Sequence, residues 1–189
     1  MYKGKNPSAL RSQESIANSF LELVKVSTYD KISITDIMDS TGLARQTFYK
    51  VFDSKDDIFE FIFRKLFSEY FLLYLAGIKK PDIDSICATA KLFFRFSYTY
   101  KEFMALLISN NRISLLRKVF NECLINNPLV DFAHDGIRNA SEKENTASFI
   151  ITGMIGMLIS WAEDDFKTNP DELSELVCRI TDSVYPDTV

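Results

Sequence analysis

The sequence predicts an all-α protein, and three observations carry that prediction. Apolar residues recur at helical spacing in segment after segment, with no alternating β-type run. Hydrophobic content is 47%, and only six Gly and five Pro interrupt 189 residues, which suits an ordered, helix-rich chain. Ser, Asn, Gly and Pro punctuate the periodic segments where helices start and stop. Two parts are expected: a three-helix helix-turn-helix domain over residues 1–54, and a larger helical domain over 55–189.

Residues 1–11 carry Lys3, Lys5 and Arg11 and no acid. A frayed terminus is expected there, which is compatible with a basic arm reaching a groove. From about Ser8 to Val26, Ile16, Phe20, Leu23 and Val24 fall on one helical face. Thr28 to Lys31 is a polar break.

In the next short helix Ser33 and Asp36 have capping-box spacing, and Ile34, Ile37, Met38 and Thr41 form one apolar face. Gly42 can take the left-handed conformation that lets the chain reverse, after which the helix resumes within two or three residues. In the second helix Ala44, Phe48 and Val51 share one face, and Arg45, Gln46, Tyr49 and Lys50 fan out opposite. Arg and Gln can bond guanine and adenine edges bidentately, and Tyr and Lys suit phosphates. The outward set is what a helix in a DNA major groove requires.

Ser54 is placed to cap the following helix, with Asp56 and Asp57 in its first turn. That helix is expected to run to about Leu75. Phe59, Phe61, Ile62, Phe63, Leu66, Phe67, Tyr70, Phe71, Leu72 and Leu73 make it apolar nearly all round, so it is expected to be buried and to join two cores. Helices are then expected over 83–98, 100–109, 112–125, 142–166 and 171–184, with 129–140 ambiguous between a short helix and a loop. Pro170 opens the last helix and Pro186 follows it. Glu163 to Asp165 put negative charge at a helix C-terminus, where it is unfavourable.

Net charge is −4, but it is unevenly placed. Residues 1–55 hold eight Lys/Arg against six Asp/Glu, leaving 14 against 20 for the rest. Only the N-terminal part suits a phosphate backbone. Cys87, Cys123 and Cys178 are odd in number and far apart; they fit a reducing cytoplasm and read as buried small apolar residues, a redox switch being the alternative. No signal peptide is evident. The apolar stretch Phe149 to Ala162 is too short to span a bilayer, so no membrane partner is expected.

The run Ile34 to Ile58, with Asp36-Ile37, Gly42-Leu43, Thr47-Phe48-Tyr49, Phe52 and Ser54-Lys55 at these spacings, resembles the DNA-binding domain of the TetR family of bacterial transcription regulators. The resemblance implies double-stranded DNA as a partner, contacted by Thr35, Arg45, Gln46, Thr47, Tyr49, Lys50 and Lys55. It departs at Ala44, where a capping Ser is usual, and at Val51, where an aromatic or His often touches phosphate; neither is assigned a contact. The segments KLFFRFSYTYKEFMALLISNN and FIITGMIGMLISWAEDDFKTNPDELSEL resemble the regulatory domain of a TetR subgroup common in low-GC Gram-positive bacteria. That likeness implies a ligand-sensing domain and a homodimer made by the last two long helices. Gly153 and Gly156 would strip side chains from one stripe and allow a close helix crossing, between subunits or within one chain.

Thirteen of the sixteen Phe lie beyond residue 55. Such a composition can line an apolar pocket or simply fill a core. Phe63, Phe67, Arg95, Tyr98, Met104 and Trp161 are the candidate ligand-binding residues, Arg95 being the group to meet a carboxylate or phosphate or to face solvent. Catalysis finds no support: His134 is the single histidine, no Cys/His cluster has metal-ligand spacing, and Asp56-Asp57 and Asp164-Asp165 read as solvated helix ends. No cofactor is implied. The reading is a cytoplasmic, ligand-responsive transcription repressor on a pseudo-palindromic operator. An activator on the same scaffold and a helical protein-interaction module are the alternatives.

Overall fold

The computed structural model describes residues 1–77, 86–126 and 139–184, and among them all regular structure is helical. The helices are α1 (Pro7–Val26), α2 (Ile34–Asp39), α3 (Arg45–Val51), α4 (Lys55–Gly77), α5 (Ile86–Thr99), α6 (Lys101–Ser109), α7 (Ile113–Ile125), α8 (Ala140–Glu163) and α9 (Pro170–Val184), with a single 3-10 turn at Tyr29–Lys31. The chain divides into two compact units, Met1–Glu69 and Tyr70–Val189. His134 and residues 129–138 of the ambiguous stretch lie outside the described residues, while Asn139 caps α8 and Ala140 begins it.

The first unit packs α2 and α3 on α1. Ile16, Phe20, Ile37, Met38, Phe48, Val51, Phe52, Ile58 and Phe59 are buried. Phe20 meets the Phe59 ring edge-on at 4.9 Å, and Tyr29 stacks on Phe59 at 5.4 Å. Truncating a fully buried ring such as Phe20 to Ala would cost about 3–5 kcal/mol through lost transfer energy and the cavity left behind. One sequence expectation is corrected here: residues 1–6 do not fray. The Tyr2 N–H donates to the Val51 carbonyl at 2.8 Å, and buried Gln13 donates from Nε2 to the Tyr2 carbonyl at 3.1 Å. A second correction concerns Ala44, which is exposed at the N-cap of α3 instead of packing beside Phe48.

Crossing from one unit into the other, α4 buries Ile58, Phe59, Ile62 and Phe63 in its first half. Burial all along its length, as its composition suggests, is not observed: Leu72 and Leu73 are 64% and 72% exposed. Glu60 is buried, and its carboxylate accepts from Arg64 Nε and Nη2 at 3.0 and 2.9 Å, one helical turn away. This pairing meets the requirement that a buried charge be compensated.

In the second unit α5 packs on α9, α8 and α6, and α7 packs on α8. Phe93 meets Phe120 at 4.5 Å, and Phe94 meets Trp161 at 6.0 Å. The expectation that α8 continues to Phe166 is corrected. The helix stops at Glu163, and Asp165 and Phe166 take positive φ of 53° and 54°. This reversal brings Phe166 against Trp161 at 5.0 Å, and the indole N–H donates to the Thr168 carbonyl at 3.0 Å. Ring packing and the indole bond accompany two non-glycine residues in a left-handed backbone, a conformation that costs energy. Lys167 bonds Asp164 at 2.7 Å, which offsets the acidic helix end. With 24 residues, α8 is long and apolar enough by length and composition to cross a membrane; the apolar stretch Phe149 to Ala162 within it is interrupted by Thr152 and Ser160 and shorter than a span. Here Ala147, Ile151, Met154, Ile155, Leu158 and Trp161 turn one face of it into the core.

Candidate nucleic-acid interface and regulatory unit

The helix-turn-helix is built from its caps inward. Ser33 Oγ accepts from the Asp36 N–H at 3.1 Å, and the Asp36 carboxylate accepts from the Ser33 N–H at 2.8 Å. These reciprocal bonds satisfy two otherwise orphaned donors at the start of α2. The Ser33 backbone N–H, followed by its side chain, holds the Asp36 carboxyl below the usual carboxylate range. Gly42 has φ of +67°, the left-handed conformation expected of a helix-turn-helix reversal. Thr41 reinforces the turn, donating to the Met38 carbonyl at 2.7 Å and accepting from the Leu43 N–H at 3.1 Å. No side chain caps α3 at Ala44, whose carbonyl accepts from the Thr47 N–H at 2.7 Å.

Phe48 and Val51 are buried, while Arg45, Gln46, Tyr49 and Lys50 are exposed. The outward set expected from the 100° rotation per residue is therefore presented on one side of α3. Arg45 Nη2 lies 3.5 Å from the Tyr49 hydroxyl, a weak bond that lines the two side chains along the helix. Thr35 is exposed on α2, and Thr47 is half-buried in the first turn of α3. Phe52 is fully buried and serves the core.

Lys55 sits in a different setting from the other candidate contacts. Its ammonium donates to the carbonyls of Tyr29 at 2.9 Å and Ile32 at 2.6 Å, and lies 4.2 Å from the Tyr29 ring centroid. The Tyr29 hydroxyl donates to Asp56 at 2.6 Å. Lys55 and Asp56 together clamp the start of α4 to the loop between α1 and α2.

The ligand candidates fall in both units. Phe63 is buried and Phe67 half-buried in the first. In the second, Met104 is fully buried, and Tyr98, 43% exposed, stacks on buried Trp161 at 5.8 Å. Arg95 has an internal partner that the sequence did not suggest: Nε and Nη2 grip Asp171 of α9 at 2.6 and 2.9 Å. That guanidinium holds the Asp171 carboxyl below the usual carboxylate range. Two further features escaped the sequence reading. Ser97 is fully buried, and its Oγ has no hydrogen-bond partner among the described residues. Cys87 of α5 and Cys178 of α9 are disulfide-bonded, with Cα atoms 5.0 Å apart, while Cys123 of α7 is half-buried and outside that bond. The reading of Cys87 and Cys178 as buried small apolar residues is corrected accordingly, both being half-buried and bonded to each other.

A small helix-turn-helix unit followed by a larger helical unit is the architecture of a one-component transcription regulator. Residues 84–183 match the TetR-type family described as transcriptional regulator C-terminal region, and the chain belongs to the TetR family. A stretch of 58 residues is 36% identical to the HTH-type dhaKLM operon transcriptional activator DhaS of Lactococcus lactis subsp. lactis (strain IL1403). That match spans 31% of this chain and 31% of the relative. The solved structure of a dihydroxyacetone kinase operon activator DhaS superposes with a TM-score of 0.55 at 17% identity, covering 90% of this chain and 94% of that one. Likeness at this identity establishes the shared fold. Regulators, not enzymes, are what this chain resembles.

Proposed function

We propose that the protein is a sequence-specific, effector-responsive regulator that binds a pseudo-palindromic operator as a homodimer in the cytoplasm and has no catalytic role. The observation that carries the reading is the division of α3, with Phe48 and Val51 inward and Arg45, Gln46, Tyr49 and Lys50 outward, in a member of the TetR family. Arg45 and Gln46 read base edges; Thr35, Thr47, Tyr49, Lys50 and Lys55 hold the backbone. In functional terms residues 1–54 form the DNA-reading part and 55–189 the sensing and dimerising part.

The dimer seam of this reading lies on α8 and α9. Gly153 and Gly156 are exposed, and a Cβ built at either meets nothing within 4 Å among the described residues. Phe149 of α8 is 80% exposed, and Leu176 and Ile180 of α9 are 38% and 50% exposed. Large apolar side chains left in water beside small residues suit a close helix–helix contact with a second copy. Recognition helices related by a two-fold axis then meet successive major grooves about 34–36 Å apart. The effector site would draw on Tyr98, Met104, Trp161 and Ser97, with α4, which runs through both units, transmitting its occupancy to the reading head.

A gel shift with the DNA upstream of its own gene tests the proposal. A shift at low salt that survives competitor DNA supports it; no shift from a folded dimer favours a protein-interaction module. Repression is the sign expected from the sequence, and activation is a second reading favoured by the two DhaS relatives, both named operon activators. A promoter reporter decides between them: output that rises on deleting the gene means repression, and output that falls means activation.

A further inference from the structure

We propose that Cys87 and Cys178 form a reversible dithiol–disulfide couple, an oxidation site that locks α9 to α5 under peroxide and releases it under thiol reductants. The placement carries the argument. The Cα separation of 5.0 Å lies inside the range a disulfide spans without moving the backbone. Both cysteines are half-buried, so a small oxidant or a thiol has access while the surrounding helices protect the bond from larger reagents. Their register is set independently of the sulfurs: α5 and α9 are packed along one another, and Arg95 grips Asp171 about two turns further along the same pair. The helices are thus fastened at one end by charge and at the other by sulfur, and only the sulfur fastening responds to redox state. The inference rests on the cytoplasmic placement proposed above, because disulfides in reducing compartments are transient and redox-sensing instead of permanent.

The chemistry balances with hydrogen peroxide as oxidant. The sulfur of one cysteine attacks a peroxide oxygen, the O–O bond breaks, the sulfur becomes a sulfenic acid, and the other oxygen leaves as water with the thiol proton. The second sulfur then displaces the sulfenic hydroxyl, which departs as water with the second thiol proton, and the S–S bond forms. Two thiols and one peroxide give one disulfide and two waters; the sulfur pair is oxidised by two electrons and the peroxide oxygens are reduced by two. Reduced glutathione reverses the bond by thiol–disulfide exchange through a mixed disulfide.

The test uses the full chain, first reduced, then treated with hydrogen peroxide, alkylated after denaturation and mapped by peptide mass spectrometry. The expected product is one cross-linked pair containing Cys87 and Cys178, two hydrogens lighter than the thiols, with Cys123 alkylated. Adding reduced glutathione to the folded oxidised protein should return both cysteines to alkylatable thiols. The bond closes a loop with a sequence separation of 91, so oxidation should raise the melting temperature by on the order of 10 °C. Cys178→Ser and Cys87→Ser should each abolish that shift; should either fail to fold, the wild-type map and its glutathione reversal still decide. Free Cys87 and Cys178 after peroxide, a cross-link through Cys123, or a bond that glutathione cannot open in the folded protein overturns the proposal. None of these readouts involves DNA, so a negative result here leaves the gel shift to judge the regulator reading separately.

Discussion

Replacing Lys55 with Ala removes the clamp that fixes α4 to the loop between α1 and α2, and the structure sets the size of the effect. The ammonium makes two hydrogen bonds, to the Tyr29 and Ile32 carbonyls at 2.9 and 2.6 Å, and lies 4.2 Å from the Tyr29 ring centroid. Bonds that involve a charged group contribute about 1.5–3 kcal/mol each, with the lower end apt for a half-buried lysine. A cation–π contact at such a site adds about 0.5–1 kcal/mol. The loss should therefore be about 3–4 kcal/mol in the first unit. Tryptophan fluorescence would miss it, because Trp161 lies in the second unit. Amide hydrogen exchange at Ile37 and Phe48 reports it directly, as faster exchange from the cores of α2 and α3. Protection unchanged within about 0.5 kcal/mol would refute the clamp, since surface substitutions without structural consequence fall in that range.

The other predictions concern turn, seam, charge pair and phosphate contact. Gly42→Ala forces a Cβ into φ of +67° where no neighbour crowds it, so it should destabilise by about 1 kcal/mol from backbone strain alone, read as a lowered urea midpoint. Gly156→Leu should weaken the dimer in sedimentation equilibrium while leaving helix content unchanged; a dimer of unaltered strength removes Gly156 from the seam. Asp171 has a folded pKa below its ordinary 3.8, so its pairing with Arg95 stabilises above that value and is lost as pH falls through the lower folded value. Melting curves should show Asp171→Asn less stable than wild type at neutral pH, with the difference closing in acid; a difference independent of pH would contradict the pairing. Lys55→Ala should also weaken DNA binding similarly for every sequence and lower the salt slope by about one, since one fewer counterion is released per contact.

The all-helical class and most helix positions were legible because they depend on local signals: the Ser33–Asp36 box, Gly42, Ser54 and Pro170 each act within one turn. The outward set on α3 was legible for the same reason, a rotation of 100° per residue needing no tertiary knowledge. What the sequence concealed was the choice of partner between distant segments. Nothing local says that α5 lies along α9, so the pairing of Arg95 with Asp171 and of Cys87 with Cys178, at sequence separations of 76 and 91, could not be read. Lys55 illustrates the same limit, its carbonyl partners lying 26 and 23 residues back in the chain. The ending of α8 at Glu163 was hidden because left-handed Asp165 and Phe166 answer to packing on Trp161, which overrides local preference.

The measurement that bears most directly on the central claim compares wild type with Arg45→Ala by fluorescence anisotropy, on the DNA upstream of its own gene and on random DNA at one salt concentration. If α3 reads base edges through Arg45, the substitution should cost about 1–3 kcal/mol on the preferred site and much less on random DNA. Equal losses on the two DNAs would make Arg45 a backbone clamp, and no binding preference in the wild type would contradict the reading of α3 as a recognition helix.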